Sequence, residues 1–432
     1  MLVSGSNSKG TPLSIVVVSI EQPATSAHSS GNNDVFDQHN KPRLRRELIL
    51  SALQKEYPEL VSIKSLSPRK DVDLIDLYRR VHDVNMIEFI LNAWTKWAAM
   101  GRDGGWYEEC CHPEWLKNKE DCKDEAEVPP MVPCHVSFRR DGIERPSDNV
   151  MGALGYYCTD LMTPIVGTLV EELMGDAQII EAAVDFAFQK MEPGDANESP
   201  VESGAFPVVY AVTTHPGHHA NRDNFGGYCY LNNAALCAKL MQERLKSLID
   251  ISTDSEPPNK KRKCRVAILD IDYHCGNGTG SIFYRDPGIF FSSIHCDPGV
   301  EYPFNAGYAD QIGAEGGIGA THHIPLAPGA TWEGTYKIAI GKAMNAILAY
   351  DVCGLVVSLG LDTYEGDSVA VNRGGFKLSG LDYLEIGKCM GKFMKGKNIP
   401  IVFVQEGGYK MDVVGEAAAH VVGGFAVGAG GD

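Results

Sequence analysis

From about residue 205 onward, short apolar runs alternate with amphipathic segments, and this alternation limits the choice of fold more than any other feature of the sequence. Five runs have the length and β-branched content of buried strands: Phe206–Thr213, Arg265–Asp272, Ile289–His295, Cys353–Leu359 and Ile399–Gln405. Apolar residues at helical spacing lie between them, at Asn232–Leu248, Thr335–Ala349 and Asp382–Lys395. Continuous apolar strands separated by helices predict an α/β fold, in which helices cover both faces of a parallel sheet.

The first half of the chain is less regular. The run Leu13–Ile20 predicts one strand inside a polar N-terminal segment, residues 1–40. Apolar residues at helical spacing predict helices over Arg43–Trp97 and Pro164–Met191. Residues 101–150 are rich in glycine, proline and charge and predict a long loop or insertion, and residues 192–204 form a polar linker.

A length of 432 residues suggests two or three domains, although α/β folds of this length often form a single domain, and no internal repeat is visible. Residues 252–264 interrupt a helix-to-strand connection as a loop insertion. They carry the basic run Lys260–Lys263 behind two prolines, which predicts either a nuclear import signal or a solvated charged loop. Residues 426–432 are predicted to be a loose, glycine-rich tail.

The charge balance argues against direct binding to nucleic acid. The chain has 39 Lys plus Arg and 56 Asp plus Glu, a formal charge of −17, which suits cationic partners instead. No apolar run approaches the roughly 18 residues that a membrane span requires, and Leu13–Ile20 lacks the basic residues of a signal peptide. The expected location is therefore nuclear, cytoplasmic or both.

Twelve cysteines occur without any CxxC pair, so reduced thiols are expected rather than a zinc ribbon. A loose cluster comprises Cys110, Cys111, His112, Cys122 and Cys134. Its irregular spacing leaves two alternatives: a second metal site, or a surface excursion with free thiols.

Polar and titratable residues follow all five predicted strands. They are His215–His219, Asp270–Gly278, Ser292–His295, Gly360–Thr363 and Gln405–Tyr409. Because the carboxyl ends of parallel strands share one edge of a sheet, and ligands bind at that edge, these residues predict one site.

Asp270, Asp272 and His274 have a spacing of two residues and point to one face of an extended chain. Two carboxylates and an imidazole on one face need a positive charge between them, which a divalent metal would supply. With Asp362 from a neighbouring strand, the predicted ligands are Asp272, His274 and Asp362. Three ligands leave a fourth position for water, as in a catalytic zinc site, and Asp270 is left to support its neighbours.

Three further residues suit hydrolysis beside such a metal. The adjacent imidazoles of His218 and His219 titrate near neutral pH and can transfer protons, and Asp270 could orient one of them. The phenol of Tyr409, which follows two glycines, is suited to stabilising an oxyanion.

Together these motifs resemble the zinc-dependent histone deacetylase and acetylpolyamine amidohydrolase superfamily. The resemblance covers about Gly155 to Gly424 and rests on several motifs read in order: Gly155–Cys158, Thr163–Ile165, Pro216–Ala220, Gly226–Asn233, Asp270–His274, Gly276–Thr279, Gly360–Thr363 and Glu406–Tyr409. It implies a single domain over residues 1–432 with a three-layer, arginase-like α/β fold and an eight-stranded parallel sheet. Zn²⁺ would be held by Asp272, His274 and Asp362, with His218 and His219 as the catalytic pair and Tyr409 as the carbonyl-polarising phenol.

The resemblance also implies supporting roles. Asp270 and Ser293 match side-chain ligands of a structural K⁺, and Asn277 matches a residue that faces His219. Gly227 and Tyr228 match residues that line the acyl-lysine tunnel, and Leu361 replaces a smaller or aromatic residue that would shape the same tunnel.

The implied activity is deacetylation, with His219 as general base, His218 as its electrostatic partner and Tyr409 with zinc at the oxyanion. The main hypothesis is removal of acetyl groups from lysine in proteins such as histone tails, hence chromatin regulation. The alternative is an acetylpolyamine deacetylase, which Tyr302-Pro303 and the run Asp362–Asp367 favour. A binuclear arginase-like enzyme would require a different order of ligands, and a non-catalytic binder would not require intact His218, His219 and Tyr409.

Overall fold

The computed structural model describes residues 15–21, 41–102, 110–111, 128–137, 139, 142–189, 207–252, 264–370 and 374–430. Three predicted features lie outside the described residues: the linker 192–204, the basic run Lys260–Lys263, and His112 and Cys122 of the cysteine cluster. The two alternatives for the basic run and for the cluster therefore stay predictions.

Eight parallel strands form one sheet, as the resemblance implied. In chain order they are β1 Ile15–Ile20, β2 Val61–Leu66, β3 Val208–Ala211, β4 Val266–Asp270, β5 Ile289–Cys296, β6 Thr321–Leu326, β7 Gly354–Leu359 and β8 Ile401–Gln405. Their order across the sheet is β2-β1-β3-β8-β7-β4-β5-β6, and every pairing is parallel. The last strand in the sequence, β8, therefore lies in the middle of the sheet, between β3 and β7.

Helices connect the strands and cover both faces of the sheet. The described α-helices are α1 Pro42–Glu56, α2 Leu74–Tyr78, α3 Val84–Arg102, α4 Val150–Tyr157, α5 Leu169–Phe188, α6 Asn233–Ser252, α7 Asn277–Phe283, α8 Lys337–Ala349, α9 Gly380–Met394 and α10 Val414–Gly430. None of the helices within the described residues is long and apolar enough to cross a membrane.

Strand β4 shows how one sheet builds two cores. Val266 and Ile268 belong to the apolar cluster on one face, and Ala267 and Leu269 belong to the cluster on the other face. Successive side chains of a strand point to opposite faces, so a strand that is buried on both faces needs an unbroken apolar run. All five residues of β4 are buried, which explains why the sequence pattern identified it.

The strand predicted at Leu13–Ile20 and the five predicted after residue 205 are confirmed as β1, β3, β4, β5, β7 and β8. Strands β2 and β6 were not predicted, and the helix predicted throughout Arg43–Trp97 is wrong where β2 forms, at Val61–Leu66. Both missed strands lie at edges of the sheet, and the buried residues of β2 are few. An edge strand therefore lacks the continuous apolar run on which the prediction depended.

The prediction of a loose tail over residues 426–432 is wrong for residues 426–430, because helix α10 continues to Gly430. Its glycines are sites of close contact with α9. A Cβ atom at Gly424 would lie 2.2 Å from the carbonyl oxygen of Leu384, and one at Gly428 would lie 2.2 Å from that of Lys388. The glycine-rich sequence therefore lets two helix backbones touch, where any side chain would separate them.

Gly424→Ala should destabilise the protein by about 1–3 kcal/mol, because the new methyl group overlaps a backbone carbonyl that has no room to move. The matched control is Gly341→Ala in α8, where a Cβ atom would have no neighbour within 4 Å. That change should stabilise the protein by roughly 0.5–1 kcal/mol, the usual gain of alanine over glycine in a helix. Urea unfolding of both variants measures the difference, and equal shifts would contradict close packing at Gly424.

Candidate active site

Four neighbouring strands deliver the predicted site residues to the carboxyl edge of the sheet. Across the sheet, β3, β8, β7 and β4 are adjacent, and all four are parallel. The segments after them carry, in that order, the histidine pair, the tyrosine, Asp362, and the remaining two predicted metal ligands. The structure therefore brings together residues that are almost 200 positions apart in the sequence.

Asp272, His274 and Asp362 form one compact, buried group whose ligand atoms all lie within 4.8 Å of one another. Nδ1 of His274 is 3.3 Å from Oδ1 of Asp272 and 3.0 Å from Oδ2 of Asp362. Metal–ligand bonds of about 2.0–2.2 Å at tetrahedral angles place neighbouring ligand atoms about 3.3 Å apart. The donor set and its spacing therefore fit Zn²⁺.

The electrostatics of this group also fit a cation. Burial and the neighbouring Asp272 carboxylate raise the pKa of Asp362 to about 7. Burial alone would lower the pKa of His274, but hydrogen bonds to Asp272 and Asp362 raise it to about 10. The group retains protons that a divalent cation would replace.

Glycines leave the space that this group requires. A Cβ atom at Gly360 would lie 2.2 Å from Oδ2 of Asp272, and one at Gly407 would lie 2.7 Å from the same oxygen. The amide of Gly407 also donates a hydrogen bond of 3.1 Å to that oxygen. The glycines that flank strands β7 and β8 therefore let main chain approach the carboxylate directly.

His218 is held between two carboxylates. Its Nδ1 lies 3.0 Å from Oδ2 of Asp270, and its Nε2 lies 3.7 Å from Oδ1 of Asp272. Burial lowers the pKa of His218, but the charges of Asp272 and Asp270 outweigh burial and raise it well above its usual value. An imidazole that is protonated at neutral pH suits an electrostatic partner better than a base.

The protonation state of His219 is opposite to that of His218. Burial, His218 and His274 lower the pKa of His219 well below its usual value, so the ring is neutral. Its Nδ1 lies 2.7 Å from Oδ1 of Asn277, an oxygen that can only accept, so Nδ1 carries the proton. Nε2 of His219 therefore has a free lone pair, which is the state that a general base needs.

Tyr409 lies in the loop between β8 and α10 and lines the same cavity as the histidine pair. The guanidinium of Arg45, from helix α1, lies 5.5 Å from the centre of the Tyr409 ring, and its Nη1 donates to the carbonyl oxygen of Gly408 at 3.2 Å. Gly408 has a φ of +128°, a conformation that L side chains rarely adopt. Helix α1, which carried no predicted role, thus helps to place the tyrosine.

The cavity has a volume of about 340 Å³ and reaches from the protein surface to the metal-ligand group. Gly227 and Tyr228 line it, and the Tyr228 and Tyr409 ring centres are 6.1 Å apart. Two carboxylates, Asp160 and Glu301, also contribute to its wall. No lysine or arginine occurs among the described residues that line it.

Several residues of this site were not predicted from the sequence, among them Tyr302 and Glu406 in addition to the carboxylates Asp160 and Glu301. Tyr302 lines the cavity, with its ring centre 4.8 Å from that of His219. Glu406 is fully buried and accepts hydrogen bonds from the amides of Gly217 and His218, at 2.6 and 3.1 Å. Tyr302 and Glu406 both occur in quoted motifs, but a motif shows no contact, and neither residue was given a role.

Leu361, which was expected to shape the substrate tunnel, lies elsewhere. It is buried in the core next to the tyrosine loop, the segment between β8 and α10 that carries Tyr409, and a Cβ atom at Gly408 would lie 2.7 Å from the Cβ atom of Leu361. Leu361 is not among the described residues of the cavity wall. Asp270 and Ser293 are paired residues of β4 and β5, which is compatible with the expected K⁺ site. Potassium binding by Asp270 and Ser293 stays a prediction.

Two cysteine-containing groups lie outside this site. Cys275, His295 and His323 have ligand atoms within 4.8 Å, but both ring nitrogens of His295 are already bonded, to Oγ of Ser293 and to the carbonyl oxygen of Gly307. The other group is the described part of the predicted cysteine cluster. There, the sulfur atoms of Cys110 and Cys134 are 2.8 Å apart.

Comparison with known proteins agrees with this geometry. The family model described as histone deacetylase domain matches residues 39–425. Acetylpolyamine amidohydrolase 2 of Pseudomonas aeruginosa is 35% identical over 347 residues, covering 80% of this chain and 81% of that protein. Histone deacetylase clr3 of Schizosaccharomyces pombe is 32% identical over 225 residues, covering 51% of this chain and 30% of that protein.

Among solved structures, the acetylpolyamine aminohydrolase of Burkholderia pseudomallei superposes with a TM-score of 0.66 at 25% identity. The match covers 88% of this chain and 90% of that one. The fold is therefore the arginase-like α/β fold of these proteins. The chain belongs to the histone deacetylase and acetylpolyamine amidohydrolase family, and it is a deacetylase.

Proposed function

We propose that this deacetylase acts on acetylated polyamines, small cationic molecules, rather than chiefly on lysine side chains of proteins. The observation that carries the proposal is the similarity to acetylpolyamine amidohydrolases over about 80% of both chains, whereas the match to a histone deacetylase covers 30% of that protein. This choice reverses the main hypothesis drawn from the sequence in favour of its alternative.

The wall of the cavity supports a cationic substrate. Asp160 accepts hydrogen bonds from neutral groups, among them the amide of Gly227 at 2.6 Å and the hydroxyl of Thr163 at 2.9 Å. Neutral donors do not cancel the negative charge of this carboxylate. An ammonium group at the far end of an acetylated amine would therefore be attracted into the cavity, and the net charge of −17 acts in the same direction.

The proposed cofactor is one Zn²⁺ held by Asp272, His274 and Asp362. When bound there, it would polarise the acetyl carbonyl and lower the pKa of a water molecule. Nε2 of His219 accepts the proton of the attacking water and later gives a proton to the departing amine. The hydroxyl of Tyr409 donates a hydrogen bond to the carbonyl oxygen as negative charge develops there.

The remaining residues orient this machinery. Asp270 holds Nδ1 of His218, and the charge that His218 carries balances the carboxylates around it. Asn277 fixes the tautomer of His219. The rings of Tyr228 and Tyr302 exclude water along the chain of the substrate, which strengthens the polar interactions at its end.

One observation favours the second candidate, deacetylation of lysine in proteins. The segment after Asp367 lines the cavity with Ser368 and Val369 and contributes no acidic side chain there. A substrate without a second ammonium group would meet little resistance at that side of the cavity. Both candidates therefore belong in the same assay.

Acetylputrescine should be hydrolysed with a kcat/KM about 10-fold or more above that of N-pentylacetamide, which has the same length but carries a methyl group in place of the ammonium group. The preference should shrink at high ionic strength, because salt screens the attraction. An acetyl-lysine peptide, assayed alongside, tests the second candidate. Equal values for the charged and neutral amides, or faster hydrolysis of the peptide, would contradict the polyamine proposal.

A further inference from the structure

Asp367 is a buried carboxylate near the site that has no role in the chemistry described so far. It is 1% exposed and follows the metal ligand Asp362 in the same loop. Its Oδ2 accepts hydrogen bonds from the amides of Tyr409 at 2.7 Å and Lys410 at 3.0 Å, and its Oδ1 accepts from the amide of Val369 at 3.0 Å. All three bonds go to main chain, so they fix backbone positions and not side chains.

The segment around Asp367 contacts the tyrosine loop at further points. Nζ of Lys410 lies 3.4 Å from the carbonyl oxygen of Glu365 and 5.3 Å from the centre of the Tyr364 ring. The amide of Asp367 itself bonds to the carbonyl oxygen of Tyr364 at 3.1 Å, which closes the turn. Residues 364–367 therefore contact Tyr409 and Lys410, while Arg45 contacts the preceding residue, Gly408.

The hydrogen bonds that the carboxylate of Asp367 accepts are stronger than hydrogen bonds between neutral groups. Burying a carboxylate is costly unless several donors satisfy it, and bonds to a charged acceptor are about twice as strong as neutral ones. Removing the carboxylate would leave the amides of Tyr409, Lys410 and Val369 without the acceptor that they have in the folded chain. The loop would then shift to find other partners.

We infer that Asp367 is the positioning residue of Tyr409: its carboxylate holds the main chain of the tyrosine loop so that the phenol meets the carbonyl oxygen of the substrate. This inference rests on the oxyanion role proposed for Tyr409. It also links that role to the metal site, because Asp362 and Asp367 lie at the two ends of one short loop. A displacement of about 1 Å at a reacting group can cost roughly 100-fold in rate.

A double-mutant cycle of Asp367→Ala and Tyr409→Phe tests the inference with acetylputrescine as substrate. We expect Asp367→Ala to lower kcat by about 10- to 100-fold and to change KM by less than about 3-fold. In the Tyr409→Phe background, the same change should lower kcat by less than about 2-fold, because the group that Asp367 positions is already gone. Equal losses in the two backgrounds would overturn the inference.

Two controls separate positioning from general stability. Asp382→Ala removes a carboxylate that likewise accepts from main chain, the amide of Ser379 at 2.7 Å, but at the start of helix α9. It should lower Tm and leave kcat unchanged. Asp367→Asn retains one acceptor oxygen, so it should recover part of the lost kcat, and it replaces the alanine variant in the cycle if that variant does not fold.

The outcomes also separate this inference from the proposed mechanism. Unchanged kcat in Tyr409→Phe would contradict the oxyanion role and the inference together. A low kcat in Tyr409→Phe, with an independent and equal loss from Asp367→Ala, would retain the oxyanion role and reject the positioning role alone. Zinc content, measured on each variant, should stay unchanged throughout.

Discussion

Asp362→Asn should remove the metal from the active site and lower kcat/KM by at least about 10³-fold. The change replaces an anionic oxygen donor by a neutral amide in a group where Nδ1 of His274 lies only 3.0 Å from Oδ2 of Asp362. Three protein ligands are the minimum for a catalytic zinc site, so the loss of one should be decisive. Elemental analysis should find about one zinc atom per chain in the wild type and almost none in the variant.

The matched control for this prediction is Asp310→Asn, which makes the same chemical change at an exposed position. It should retain both metal and activity. Full zinc occupancy in Asp362→Asn would contradict the ligand assignment. Metal loss with unchanged activity would instead show that the reaction does not depend on zinc, and the proposed mechanism would fail.

Tyr409→Phe should lower kcat by about 10²- to 10³-fold, the usual effect of removing one oxyanion donor. Zinc content should stay at the wild-type value, because Tyr409 is not among the three ligands. KM should change little, because the hydrogen bond forms mainly as negative charge develops on the carbonyl oxygen. Steady-state kinetics with elemental analysis on the same preparation measures all three quantities.

Tyr228→Phe provides the comparison, because it removes a second phenol that lines the same cavity, with its ring centre 6.1 Å from that of Tyr409. Its kcat should stay within about 10-fold of the wild type, which is well above the value for Tyr409→Phe. Similar losses in the two variants would assign the effect to the shape of the cavity and not to an oxyanion donor.

The sequence was sufficient to predict the strands that are buried on both faces of the sheet. Strands such as β4 are apolar on both faces, so their residues reveal them without any knowledge of their neighbours. Strand β2 is an edge strand with only one buried residue. Leu60, the residue just before it, fitted the helical spacing of the preceding segment equally well. Edge strands are defined by their pairing, which a single sequence does not display.

The same distinction explains which residues of the site could be predicted from the sequence. Asp272, His274 and Asp362 could be named because their chemistry is incompatible with burial unless a cation is present. Glu406 and Asp367 are equally buried, but each is satisfied by main-chain amides that only the folded chain brings near. The glycines of α10 were predicted to be a loose tail because the contact that they permit, with α9, lies outside their own helix. Residues that act through backbone contacts are therefore hidden from motif analysis.

The central position of β8 also has a consequence for how the protein is made. Strand β8 is the last of the described strands along the chain, but it lies between β3 and β7. A growing chain therefore has an incomplete sheet, with unpaired edges on β3 and β7, until residues 401–405 have emerged. Pairings between segments so distant in the sequence form slowly and leave strand edges exposed to other chains. During synthesis the enzyme should therefore be most vulnerable to aggregation just before its tyrosine loop appears, and chaperones that shield strand edges should raise its yield.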